Sequence, residues 1–147
     1  MRSTDNSMKR ILFFILVFIA LGSLKGQSIL GVWKTVDDQT GDTESLVEIY
    51  EDGNFVYGKF VKLLKQPKKE PICERCPGED KNAPLVGLVF IKDLVKKGTQ
   101  FKGSILNPKD GRVYNCLVSL KDDRTLKVRG YLGVPLLGRT QYWHRVD

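Results

Sequence analysis

The feature that most constrains this chain is an alternation of apolar and polar residues, cut into short segments by turn-forming sequences. "GVWKTVDD" (31–38) reads as a short strand ending at a polar turn, with "QTGD" following. "ESLVEIY" (44–50) alternates and runs into "EDGN", an Asp-Gly turn between apolar residues that predicts a hairpin into "FVYGKFVKLL" (55–64). "QFKGSIL" (100–106) puts Phe101, Gly103 and Ile105 on one side, and "NPKDG" (107–111) turns the chain through Pro108 and Gly111. "RVYNCLVSL" (112–120) places Tyr114, Cys116, Val118 and Leu120 on one face; "KDDR" then turns it. "TLKVRGYLG" (125–133) groups Leu126, Val128, Gly130 and Leu132 against Lys127, Arg129 and Tyr131, and "RTQYWHRV" (139–146) follows.

A period of two means strands, because successive side chains point to opposite faces. Seven or eight strands at intervals of roughly ten residues, joined by hairpin-length turns, predict an all-β domain. A meander of this size must dispose of its sheet edges. Closure into a single antiparallel up-and-down β-barrel of about eight strands does so most simply; a sandwich is the alternative. Gly58, Gly103 and Gly130 fall inside strands and suit the bends of a small barrel.

Two segments depart from the pattern. In "VGLVFIKDLVKKG" (86–98) the apolar residues 88, 91, 94 and 95 fit a helical period, so a strand followed by a short helix near 90–97 is expected. Residues 65–84, "KQPKKEPICERCPGEDKNAP", hold four of the six prolines and many charges. A loop of about twenty residues is unusual in a small domain and is commonly functional.

The chain opens with Arg2, Lys9 and Arg10, then an apolar run from Ile11 to Leu24, then small residues up to Gly26. That order matches a secretory signal, and the run is short for a membrane span of roughly twenty residues. The expectation is a signal peptide over 1–26 and a secreted or periplasmic domain over 27–147, touching the membrane only through the uncleaved signal. The net charge is +7 over the 147 residues. Residues 1–26 carry four of the basic and one of the acidic side chains, which leaves +4 for the rest. This mild excess does not read as a nucleic-acid surface.

Gly31-Val32-Trp33 on the first strand, with Arg145 or Arg139 on the last, resembles the calycin superfamily of lipocalins and fatty-acid-binding proteins. The resemblance implies a tryptophan packed across the closed end of a barrel and covered by an arginine, with Trp33, Trp143 and Arg145 as closing residues. A fuller match lies in Asp37-Asp38, Asn107-Pro108-Lys109-Asp110-Gly111 with Tyr114 and Cys116, Leu126, Arg129-Gly130-Tyr131, Gly133, and Arg139-Thr140-Gln141 with Trp143 and Arg145. Together with Gly31-Val32-Trp33 this resembles the small secreted bacterial proteins grouped as domain of unknown function 2147. It implies a lipocalin-like barrel in the envelope or outside the cell, and no activity.

The chemical candidates are few. In an oxidising compartment Cys73 and Cys76 are expected to form a disulfide that staples the loop. The alternative is a zinc site shared by Cys73, Cys76, Cys116 and His144, although no second C-x-x-C supports it. A redox role would need the pair at a helix N-terminus, and free thiols remain open. Cys116 reads as a small buried hydrophobe. His144 alternates with Trp143 and should face outward. Asp37 and Asp38 could act as acid and base but sit at a turn, as solvated carboxylates do. Arg129, Tyr131, Arg139, Tyr142 and Arg145 gather on the last two strands, where guanidinium groups suit an acidic or phosphorylated ligand or serve barrel closure.

The resulting expectation is a binding module for a small apolar or amphipathic ligand or an envelope partner. Tyr57, Phe101, Tyr114, Arg129, Tyr131 and Arg139 are the candidate contacts for a hydrophobic or acidic ligand. The alternatives are a solid barrel that makes contacts through residues 65–84, and an enzyme at the barrel mouth. No catalytic residues and no cofactor are assigned beyond the zinc alternative.

Overall fold

The computed structural model describes residues 27–65 and 69–147. The expected signal segment, 1–26, lies outside the described residues. Eight strands follow in order: β1 (Gly31–Val36), β2 (Thr43–Asp52), β3 (Phe55–Leu63), β4 (Val89–Lys97), β5 (Gln100–Asn107), β6 (Arg112–Asp122), β7 (Thr125–Tyr131) and β8 (Arg139–Arg145). Each pairs antiparallel with its sequence neighbours, and β8 returns to β1 through Trp33↔Arg145 and Lys34↔His144. The barrel is therefore closed and has no free edge, so the sandwich alternative falls. Among the described residues no helix is long and apolar enough to cross a membrane.

The inward positions are those the alternation assigns. Val47 and Ile49 on β2, Cys116 and Val118 on β6, and Leu126 and Val128 on β7 are buried, while their odd-register neighbours are not. Leu132 breaks the pattern: it lies just beyond β7 and is half exposed.

No helix forms near 90–97. Val89–Lys97 is one strand whose register to β5 shifts between Lys92 and Val95, with Asp93 at φ 56°. This bulge puts Lys92 and Asp93 on the outside in succession, so Ile91 and Leu94 both point inward. A three-residue step between inward residues imitates a helical period. Gly103 lies against this bulge: a Cβ there would sit 2.5 Å from the Lys92 carbonyl oxygen.

The even number of antiparallel strands sorts the connections into two ends. The β2–β3, β4–β5 and β6–β7 hairpins share one end with Ser28–Leu30 and the chain terminus. That end is plugged. Trp33 is fully buried and its indole N–H donates to the Ile29 carbonyl at 2.8 Å. The Arg145 guanidinium covers the ring and donates to the carbonyls of Asp123, Leu30 and Ser28.

The other end carries the β1–β2, β3–β4, β5–β6 and β7–β8 loops. The long β3–β4 loop folds back on itself through an Ile72↔Pro84 bridge and the Cys73–Cys76 disulfide, with Cα atoms 5.4 Å apart. It docks on the β5–β6 turn. Gly111, at φ +73°, lies so close to Arg75 that a Cβ would meet the Arg75 carbonyl oxygen at 1.8 Å. Glycine is needed there twice over, for the left-handed backbone and for the contact.

Candidate functional site

The open half of the barrel is hollow. A cavity of about 730 Å³ runs inward from the loops. Its floor is aromatic: Phe60 from β3 stacks on Phe90 from β4 at 3.9 Å between centroids, and Phe90 meets Trp143 from β8 at 6.2 Å. Val128, Ile105, Leu106 and Leu63 continue the wall. Pro71 and Leu85, at the two ends of the stapled loop, complete it. Gly130 leaves room opposite Tyr114: a Cβ there would make ordinary contacts, 3.6 Å from Ile105 and 3.8 Å from Tyr114.

Polar groups are confined to a few places. Buried Thr35 and Ser45 pair their hydroxyls at 2.8 Å across β1 and β2. The Trp143 indole N–H donates to the Gln141 side-chain oxygen at 3.0 Å, so the largest floor residue has its one donor satisfied. The remaining polar groups form the rim. Lys109 donates to Glu44 at 2.9 Å and lies 3.6 Å from Asp37; Lys65 donates to Asp42 at 2.6 Å. Arg139 holds Asp38 with two guanidinium nitrogens, Nε at 2.6 Å and a terminal nitrogen. The Tyr114 hydroxyl donates to Asp110 at 2.7 Å.

These contacts fix the protonation of the rim. Backbone N–H groups of Thr40 and Gln39, aided by Lys109, hold Asp37 below the usual carboxylate range. The Arg139 hydrogen bonds do the same for Asp38. Partial burial works against ionisation of Asp110, but hydrogen bonds from Tyr114 and the Arg112 N–H outweigh it and hold its acidity below the ordinary value. The partners shift the other way: Glu44 raises Lys109, and Asp110 raises Tyr114.

Of the six residues expected to contact a ligand, Tyr114 and Arg139 line the cavity. Tyr57 does not. Val56 and Gly58 take the inward positions of β3, so Tyr57 lies outside against Tyr50, with its hydroxyl on Asp93. Phe101 packs into the core opposite Val118, away from the cavity. Arg129 is spent on the β7–β8 loop, donating to the carbonyls of Pro135 and Leu136 and to Thr140. Tyr131 is buried beneath that loop, close to Gly138. The arginine and tyrosine cluster is therefore not one site: Arg129 braces a loop, Arg139 stands at the mouth, Arg145 caps the opposite end, and Tyr142 lies outside under Lys121. Trp33 and Arg145 lie together at the plugged end, whereas Trp143 lies in the cavity floor.

The cysteines and His144 are not brought together. Cys73 and Cys76 are bonded to each other, and His144 is exposed on β8. Cys116 is buried in the β6 wall, where burial pushes its thiol up to about 12. Among the described residues no group of three His, Cys, Asp or Glu side chains is placed to hold a metal ion. Sequence reasoning missed Lys109, Glu44, Gln141 and the Thr35–Ser45 pair. Lys109 and Gln141 stand in the sequence only as members of the family motif with no role attached, and nothing local announces which strand ends meet across a barrel mouth.

A family profile described as "Uncharacterized protein conserved in bacteria (DUF2147)" matches residues 31–145, and the chain belongs to this family. A search of curated proteins found no match. Among solved structures, the chain is similar to protein HP1028 from the human pathogen Helicobacter pylori, described as belonging to the lipocalin family. The TM-score is 0.70 at 23% identity, over 82% of this chain and 84% of that one. The shared feature is the lipocalin-like barrel.

Proposed function

We propose that this member of the DUF2147 family is a binding module whose barrel takes a small apolar or amphipathic molecule, its apolar part on the aromatic floor and its polar end at the rim. The observation that carries the proposal is the cavity of about 730 Å³ with a stacked aromatic floor and polar groups at its mouth. Ligand cavities are commonly a few hundred to about 1,000 Å³, mostly apolar, with few polar groups. The solid-barrel alternative fits only the plugged half. An enzymatic reading is less well supported. Asp37, Asp38 and Asp110 are pushed down, and Lys109 and Tyr114 up, away from the near-neutral values that acid–base catalysis uses. Export to an oxidising compartment belongs to the same proposal. Its supports are the N-terminal sequence pattern and a buried disulfide in the β3–β4 loop.

The test is a fluorescence titration with the neutral probe N-phenyl-1-naphthylamine. Wild-type protein should show saturable enhancement. Gly130→Leu, which adds bulk into the cavity at a position without strain, should bind at least about tenfold more weakly while keeping its circular dichroism spectrum. A non-saturable signal, or equal binding by the filled variant, would remove the proposal.

A further inference from the structure

Every cation lining the rim is already paired, and with the partners Asp38 and Asp42 counted, carboxylates outnumber cations there. Three carboxylates, Asp37, Glu44 and Asp110, and three cations, Lys65, Lys109 and Arg139, line the cavity. Each of those cations already has a carboxylate partner: Lys65 has Asp42, Lys109 has Glu44 and Asp37, and Arg139 has Asp38 in a two-pronged contact. An entering carboxylate or phosphate would find three negative groups around it. To gain a cation it would have to break one of these pairs and strand the displaced aspartate or glutamate nearby. The two-pronged Arg139–Asp38 contact is the best formed of these pairs, with the Asp38 side chain 29% exposed.

The groups with spare capacity are uncharged acceptors. The Tyr114 hydroxyl gives its hydrogen to Asp110, which leaves its oxygen lone pairs open. In the Thr35–Ser45 pair, which lines the same cavity, the Thr35 oxygen already accepts the Ser45 N–H, so the open lone pair there is on the Ser45 hydroxyl. These suit a head that donates hydrogen bonds without carrying negative charge.

We infer that the occupant is an amphiphile with a hydrogen-bond-donating head, such as a hydroxyl or amide, that carries no negative charge, and that the Asp38–Arg139 pair excludes anionic amphiphiles. This rests on the binding reading given above. The experiment is competition against N-phenyl-1-naphthylamine near neutral pH, using decanol and decanoate, whose chains match and whose heads differ. Decanol should displace the probe at a concentration roughly tenfold lower than decanoate. In Asp38→Asn, which releases Arg139, decanoate should gain roughly tenfold relative to decanol. If decanoate matches decanol in the wild type, the inference is overturned with the binding reading intact. An Asp38→Asn protein that stays indifferent to decanoate overturns it too. If the probe itself does not bind, the binding reading fails and this inference falls with it.

Discussion

The Arg145 guanidinium lies 4.2 Å above the ring of Trp33, and the two residues are directly paired across the β1–β8 seam that closes the barrel. One contact thus joins the first strand to the last, and its three further hydrogen bonds tie in Ser28, Leu30 and Asp123. Arg145→Ala should destabilise the fold by about 2–3 kcal/mol, since three charge-assisted bonds to backbone carbonyls and the cover over the buried Trp33 ring are lost. Lysine should not restore it, because an ammonium can neither stack nor serve three carbonyls in a plane. Trp33→Ala should cost about 3–5 kcal/mol, and the double variant less than the sum. Urea denaturation reads all four; strict additivity would mean the two residues act independently.

Gly111 and Gly133 offer a matched comparison. Both have φ +73°, but a Cβ at Gly111 strikes Arg75 at 1.8 Å, while one at Gly133 meets nothing within 4 Å. Gly133→Ala should cost about 1 kcal/mol, the conformational penalty alone. Gly111→Ala should cost clearly more and should weaken probe binding, because it lifts the stapled loop that carries Pro71 and Leu85 into the wall. Equal losses in the two variants would mean that the loop does not press on the turn.

The alternating segments made the barrel legible, since a period of two places Val47, Ile49, Val118 and Leu126 inside with no structural knowledge. Where reading failed, a bulge or a long-range contact was responsible. The Asp93 bulge rephased β4 and imitated a helix. Tyr57 was chosen by residue type, although its own alternation with Val56 and Gly58 points it outward. The mouth is the least legible part: Asp38 and Arg139 lie 101 positions apart in the sequence, and Lys109 meets Glu44 across the barrel. Such pairs exist only once the strands have closed.

Acid should loosen the mouth before the core. Asp37, Asp38 and Asp110 all have folded values below their unfolded ones. The unfolded chain therefore binds more protons in the acid range, and stability rises with pH there. Their contribution is complete above the unfolded carboxylate value of about 4 and is lost as pH falls through the lower folded values. Denaturation midpoints should be flat from pH 7 to about 5 and fall below about 4. Asp38→Asn should make that fall shallower. A midpoint that rises on acidification would contradict the pairing.

Thiol accessibility separates the three cysteines. Without reductant, iodoacetamide should label none of them in the native protein at mildly alkaline pH, because Cys116 is buried with its thiol pushed up to about 12. Unfolding without reductant should expose Cys116 alone, and reduction should add Cys73 and Cys76. Labelling of all three in unreduced, unfolded protein would show the pair to be free thiols.

The most direct test of the central claim is native mass spectrometry of protein purified without reductant from the cells that make it. The account predicts a non-covalent adduct of small-molecule mass on the wild type, released on gentle activation and missing from Gly130→Leu. Bare protein in every preparation, with no adduct even after incubation with decanol, would contradict it.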